Sequence, residues 1–404
     1  MNRSNTRVLW GTFLVVAAFL ALVAAPGAFA QAPKEPIKIG GLHPLTGPLA
    51  VNGSEITEGI KLYWEDEMGN QVAGRPVRLV LEDSEGKPDV GLTKARRLVE
   101  SERVHLVLGP VSSGVAVAIR DYMHERKVPL IITQATANAL TNEKASPTIF
   151  RTAMSSYQQE AGGGYYVASK LGYKRIAVVA LDYVAGHEQA EGFIKAFMES
   201  GGQSADKMLF PLGTIDVAPY VTRIQNKLQE LDAVVGILWG PSAPAWIKTW
   251  SEYGLKGKIP LLTLGETVNE TYLRQVGDYA VGIVSWLSYS PVLETAENKR
   301  FVQAFNKKYR KDPNYNNHLG YLAAKVSGEA LKAVGGNVED QPRLLDAIRK
   351  VRFEAPGGPF RFDEKQNAII PAYIRRVDKV GGKFQNTVFD VVPDVDQFWK
   401  PPKK

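Results

Sequence analysis

The sequence contains no cysteine in 404 residues. That excludes disulfides, thiolate metal sites and a cysteine nucleophile. It also excludes a lipid anchor on an N-terminal cysteine. A chain of this length can bury enough core to do without disulfides even in an oxidising compartment. Histidine is scarce, and the five residues His43, His105, His124, His187 and His318 show no metal-ligand spacing. His187-Glu188 lacks the second histidine of an H-E-x-x-H helix. There is no G-x-S-x-G elbow, and Ser113 has no sign of a base beside it. Phosphate loops of the G-x-G-x-x-G or G-K-[ST] type are missing as well. Asp363 and Glu364 are adjacent, so on a turn they splay apart. They read as a solvated turn, not as an acid–base pair. No metal, cofactor or catalytic set is expected. A long basic block is also lacking, so nucleic acid is not an expected partner.

One long apolar run is present, at the start. Arg3 and Arg7 precede an uncharged stretch from Val8 to Val23, which Pro26-Gly27 breaks. Ala28-Phe29-Ala30 has the A-x-A form of a cleavage site, so residues 1–30 read as a signal peptide. The run is short of the ~20 residues needed to span a bilayer. The mature protein is expected to start near Gln31, free in the compartment to which it is exported. Without Arg3 and Arg7 the balance is 47 basic to 42 acidic residues, a net of +5. With the signs interspersed, that mild excess bears on solubility.

After the leader, short apolar runs alternate with stretches of helical period. Strands are expected at 37–42, 77–81, 106–108, 129–133 and 148–152. A second series follows at 175–181, 207–211, 233–238 and 260–264, with helices between. This alternation predicts an α/β fold with two parallel sheets, helices on both faces. Residues 281–287 are extended. Helices follow at 297–310, 315–334 and 341–350. Phe353–Asp363 is turn-rich, and 373–377 and 387–392 alternate as strands.

The loops after the strands carry the chemistry. In an open α/β sheet ligands bind at the carboxyl ends of the strands. Ser112-Ser113-Gly114 follows the Leu106–Leu108 strand where a helix begins. Its hydroxyls and free N–H groups make a seat for a carboxylate. Gln134-Ala135-Thr136 follows the next strand. Asp182-Tyr183, Trp239 and Glu266 end strands of the second series. A zwitterion would suit them, with its carboxylate on the serines, its ammonium on Glu266 and its side chain against Trp239. Charge-assisted hydrogen bonds of that kind contribute ~1.5–3 kcal/mol each.

Four segments resemble a known family: Ile37–Pro48 (IKIGGLHPLTGP), Gly109–Gly114 (GPVSSG), Ile132–Thr141 (ITQATANALT) and Gly358–Asp363 (GPFRFD). In this order behind a leader they are similar to the type 1 periplasmic solute-binding proteins of ABC importers, in the leucine/isoleucine/valine branch. The resemblance implies two Rossmann-like lobes joined by a three-strand hinge. Residues 37–152 with 286–358 would form the N-terminal lobe, and 153–285 with 359–395 the C-terminal lobe. Residues 396–404 would be a tail. It implies that Ser113, with Ser112 beside it, holds the ligand carboxylate. Ala135 and Thr136 would touch carboxylate and ammonium, and Glu266 would pair the ammonium. Asn52 and Trp239 would belong to the pocket wall. Amino-acid binders of this branch often carry Tyr before the glycine of the Asp182 loop, where this chain has Ala185. That smaller wall, with Tyr183 two residues earlier, leaves room for an aromatic carboxylate such as a benzoate-like acid. The expected activity is capture of a hydrophobic or branched-chain amino acid and delivery to an inner-membrane permease by a monomeric protein. Aromatic carboxylates, or sensing by a receptor of the same fold, are the alternatives.

Overall fold

The computed structural model describes residues 35–402, so the leader, its cleavage site and the last two residues of the tail lie outside the described residues. Six strands come first: β1 (Ile37–His43), β2 (Gln71–Val72), β3 (Arg75–Asp83), β4 (Leu106–Leu108), β5 (Leu130–Ile132) and β6 (Ile149–Arg151). They form one sheet in the order β2-β3-β1-β4-β5-β6, parallel except for the hairpin strand β2. Central β1 sets Ile39 between Leu79 and Leu106, and all three strands feed an apolar interior.

The second sheet begins with β7 (Arg175–Asp182), β8 (Ser204–Pro211), β9 (Ala233–Ile237), β10 (Leu261–Leu264) and β11 (Val284–Leu287). It continues with β12 (Arg352–Ala355), β13 (Gly358–Phe362), β14 (Ala368–Val380) and β15 (Lys383–Val395). Its order is β12-β13-β14-β11-β10-β9-β7-β8, with β15 on β14. The α/β expectation stands, but this sheet is mixed: β11 pairs parallel with β10 and antiparallel with β14, and β12 to β15 pair antiparallel throughout. The turn-rich reading of Phe353–Asp363 gives way to a hairpin, with β12 and β13 paired across Pro356-Gly357. Phe353, Phe360 and Phe362 alternate with polar residues there, and the aromatic face packs together, with 5.3 Å between the Phe353 and Phe360 rings.

Between and beside the strands lie α1 (Ala50–Lys61), α2 (Pro88–Arg96), α3 (Ser113–Glu125), α4 (Ser156–Tyr165), α5 (Val184–Glu199), α6 (Ala218–Gln225), α7 (Ser242–Glu252), α8 (Glu270–Val276), α9 (Ala296–Tyr309), α10 (Tyr315–Ala333) and α11 (Gln341–Arg349). Several of their starts follow from side-chain caps. Ser112 caps α3, while Ser155 with Gln158 and Asn314 with Asn317 form reciprocal capping boxes on α4 and α10. Helices α1, α2 and α4 run on as π-type turns to Glu67, Ser101 and Lys170. Helix α10 crosses α1 at touching distance. A Cβ on Gly59 would lie 2.0 Å from the Asn317 carbonyl, and one on Gly320 2.0 Å from that of Ile56. That contact joins the late helices to the first sheet's layer. No helix among the described residues is long and apolar enough to cross a membrane.

Candidate functional site

Each sheet contains a point where the strand order reverses. In the first it lies between β1 and β4, in the second between β7 and β9. Loops leaving neighbouring strands there run to opposite faces, and a crevice opens between them. The segment after β1 supplies Leu49 and Asn52, and the segment after β4 supplies Val111 and Ser113. Beyond β7 come Tyr183, Ala185 and Gln189, and beyond β9 comes Trp239. The segments after β5 and β10 add Gln134, Thr136 and Glu266, and all these residues line one cleft. The cleft is tight: the centre of a water molecule can range over only about 20 Å³. That is room for about one water. A larger solute therefore needs its walls to part.

One end of the cleft donates. Ser113 Oγ accepts the backbone N–H groups of Thr136 and Ala137 at 3.1 and 3.2 Å. Both lone pairs are then occupied, and the hydroxyl proton is left for an acceptor in the cleft. The Gly109-Pro110 turn brings Ser113 there. Gly109 has φ 127°, and a Cβ on it would lie 2.3 Å from the Leu42 carbonyl.

The other end accepts. Glu266 is buried, and burial pushes its carboxyl up to about 7. Hydrogen bonds from Gln159 (3.4 Å) and Gln134 (3.0 Å) oppose that rise. Neither brings a charge, and no cation pairs with Glu266 among the described residues. Gln134 Nε2 also donates to Asn316 Oδ1 at 3.1 Å, while Gln134 Oε1 is buried without a donor. Asn52 Oδ1 is in the same state. Asn316 in turn donates to Glu55 at 2.8 Å, and Gln189 donates to Gln159 at 3.1 Å. This amide network fixes Glu266 from both sides. Behind it, Glu160 is fully buried, accepts Trp286 Nε1 at 2.9 Å, and is held well above the usual carboxylate range by burial. The wall between the two ends is aromatic, with the Tyr183 and Trp239 rings edge to face at 5.6 Å.

Of the residues expected from the sequence, Asn52, Ser113, Gln134, Thr136, Tyr183, Ala185, Trp239 and Glu266 come together in the cleft. Ser112, Ala135 and Asp182 do not line it. Ser112 turns its hydroxyl to the Val115 N–H as the cap of α3. Ala135 is buried in the core beside β5. Asp182 is exposed and meets His187 at 2.7 Å. Leu49, Val111 and Gln189 line the cleft without having been expected, and Gln159 and Asn316 stand one hydrogen bond behind it. Gln189 follows Ala185 by four residues on α5, so helical spacing could have found it. Gln159 and Asn316 lie far off in sequence and carry no local signal. Among the described residues Ser113 Oγ bonds only backbone N–H groups. No group of acids and histidines that could hold a metal occurs among the described residues.

Comparison with known proteins gives the following. A family described as periplasmic binding protein matches residues 36–383. The solved ABC transporter substrate-binding protein from Sphaerobacter thermophilus is 38% identical, covering 90% of this chain and 99% of its own, with a TM-score of 0.86. A solute binding protein of an ABC transporter from Rhodopseudomonas palustris BisB5, solved in complex with 3,4-dihydroxybenzoic acid, is 30% identical, with coverage of 90% and 99% and a TM-score of 0.85. The Leu/Ile/Val-binding protein homolog 6 of Brucella melitensis is 26% identical over 363 residues, 88% of this chain and 90% of that protein. The resemblance drawn from the four sequence segments is borne out.

Proposed function

The chain belongs to the periplasmic binding protein family, as the substrate-binding protein of an ABC transporter, and we propose that its solute is a hydrophobic or branched-chain amino acid held in the cleft described above. The observation that carries this is the acceptor end. Among the described residues, Glu266, Gln134 Oε1 and Asn52 Oδ1 are buried with no cation and too few donors. An ammonium brings three N–H donors and a positive charge, which is what such a corner lacks. The solute's carboxylate goes to Ser113 and its side chain to Tyr183 and Trp239. A few such bonds with apolar burial give micromolar affinity, about −8 kcal/mol.

Residues 37–152 with 286–358 act as one lobe and 153–285 with 359–395 as the other. The solute shifts the population towards the form in which both lobes touch it. The protein is exported, cleaved near Ala30, monomeric and non-catalytic. It hands its solute to an inner-membrane permease.

A second reading is supported by Ala185 and by the relative solved with 3,4-dihydroxybenzoic acid. A carboxyl that titrates near 7 can stay protonated and meet a phenolic hydroxyl. The test is the melting temperature of residues 31–404 with leucine, isoleucine, valine, benzoate and 3,4-dihydroxybenzoate. A solute that binds only the folded protein raises it. Shifts with the amino acids alone support the first reading. Shifts with the aromatic acids alone overturn it in favour of the second.

A further inference from the structure

Arg151 ends β6 and is fully buried. Among the described residues no carboxylate reaches its guanidinium. Instead it donates to the Ala137 carbonyl at 2.7 Å, to Asn367 Oδ1 at 2.6 Å and to Thr141 Oγ1. Burial lowers its pKa to about 9, so it is charged at neutral pH. The acids near it, Glu188 and Asp363, are occupied elsewhere. Glu188 accepts the Asn138 N–H at 2.7 Å, and Asp363 accepts the N–H groups of Lys365 and Asn367 at 2.8 and 2.9 Å. A buried charge held only by neutral acceptors is costly. Its geometry explains the placement.

Ala137 is gripped from two sides. Arg151 holds its carbonyl, and its N–H donates to Ser113 Oγ at 3.2 Å beside that of Thr136 at 3.1 Å. Those two N–H bonds are what turn the Ser113 proton into the cleft. On the far side, Asn367 Nδ2 donates to Gln158 Oε1 at 2.8 Å, and Gln158 Nε2 donates to the carbonyls of Ala368 and Val395 at 2.8 and 2.6 Å. The Arg151 backbone N–H donates to the Gln366 carbonyl at 2.9 Å. Gln366 and Asn367, just past the Asp363-Glu364 turn, are therefore docked on the end of the first sheet. One guanidinium joins the loop behind Ser113 to the segment that leads into β14.

We infer that Arg151 is a positioning residue for solute recognition, holding residues 136–137 so that the Ser113 hydroxyl donates to the solute carboxylate. This rests on Ser113 being a solute contact. The test is a double-mutant cycle in the full mature chain, with leucine and 3,4-dihydroxybenzoate as probes because both carry a carboxylate. Ser113→Ala, Arg151→Lys and their combination are titrated calorimetrically. Thr141→Val, which removes one Arg151 acceptor at nearly constant shape, is titrated alongside.

Arg151→Lys and Thr141→Val are each expected to weaken the bound probe about tenfold. The double variant should bind no more weakly than Ser113→Ala alone, because residues acting through one contact are not additive. Additive losses, or Thr141→Val binding with parental affinity, overturn the inference, since a residue that only supports the fold has no reason to couple to Ser113. If Ser113→Ala alone binds both probes as the parent does, the reading of the cleft falls, and that result is distinct from additivity. Should Arg151→Lys fail to fold, Thr141→Val paired with Ser113→Ala decides the matter.

Discussion

Replacing Glu266 tests the ammonium assignment most directly. The free carboxyl titrates near 7 because burial disfavours its charged form. A cationic group beside it must find the carboxylate ionised. Leucine affinity is therefore expected to fall as pH drops through 7, by about tenfold per unit below it. Between pH 8 and pH 5.5 the loss is about 30-fold, or about 2 kcal/mol. At pH 7, binding releases about half a proton, which calorimetry in two buffers of different ionisation enthalpy can count. Glu266→Gln keeps the shape and both amide neighbours. It should abolish the pH dependence and weaken leucine by about 2–3 kcal/mol, the scale of a charged hydrogen bond.

The ligand-free protein responds in the opposite direction. The Glu266 pKa rises from 4.5 in the reference state to about 7. Its contribution to stability is thus fully present below pH 4.5 and is lost as pH rises through 7. The loss amounts to about 3 kcal/mol above that range. Glu266→Gln should accordingly melt higher than the parent at pH 8 in the absence of solute, a gain of stability at the expense of binding. Leucine affinity that is flat from pH 5.5 to 8 in the parent would refute the reasoning. So would a Glu266→Gln variant that keeps both affinity and pH profile.

Three further outcomes are expected. Gln159→Leu removes one of the two amides that favour the ionised form of Glu266, so the pH profile of leucine binding should move upward; a downward or null shift in the same titrations counts against the network. Asp182→Asn alters only an exposed pair with His187, and leucine affinity should stay within about twofold, as for surface pairs generally. Gly59→Ala places a methyl 2.0 Å from the Asn317 carbonyl and forces α1 and α10 apart; urea unfolding should show a loss of about 1–3 kcal/mol, the range of overpacking.

The chain's alternation of short apolar runs with helical period decided its α/β class and most element positions, because those patterns are local. The Leu106–Leu108 strand and the start of α3 in the Ser112-Ser113-Gly114 segment lie where the period puts them. Glu266 and Trp239 could be named from the sequence because strand ends in such folds face a crevice, whatever the rest of the chain does. The local pattern does not encode which strands meet. The antiparallel hairpins at β12 to β15 show this, since an alternating strand looks the same whichever neighbour it pairs. Ser112 and Ser113 are equivalent in sequence. Only the packed turn at Gly109-Pro110 decides which hydroxyl caps α3 and which faces the cleft. The same is true of Gln159, Asn316 and Arg151. Their roles arise from contacts made over long sequence separations, such as the 216 residues between Arg151 and Asn367. The sequence by itself determined where the donors and acceptors of the site could be. Tertiary packing decided which of them are buried without partners, because burial and pairing are properties of what surrounds a residue in space.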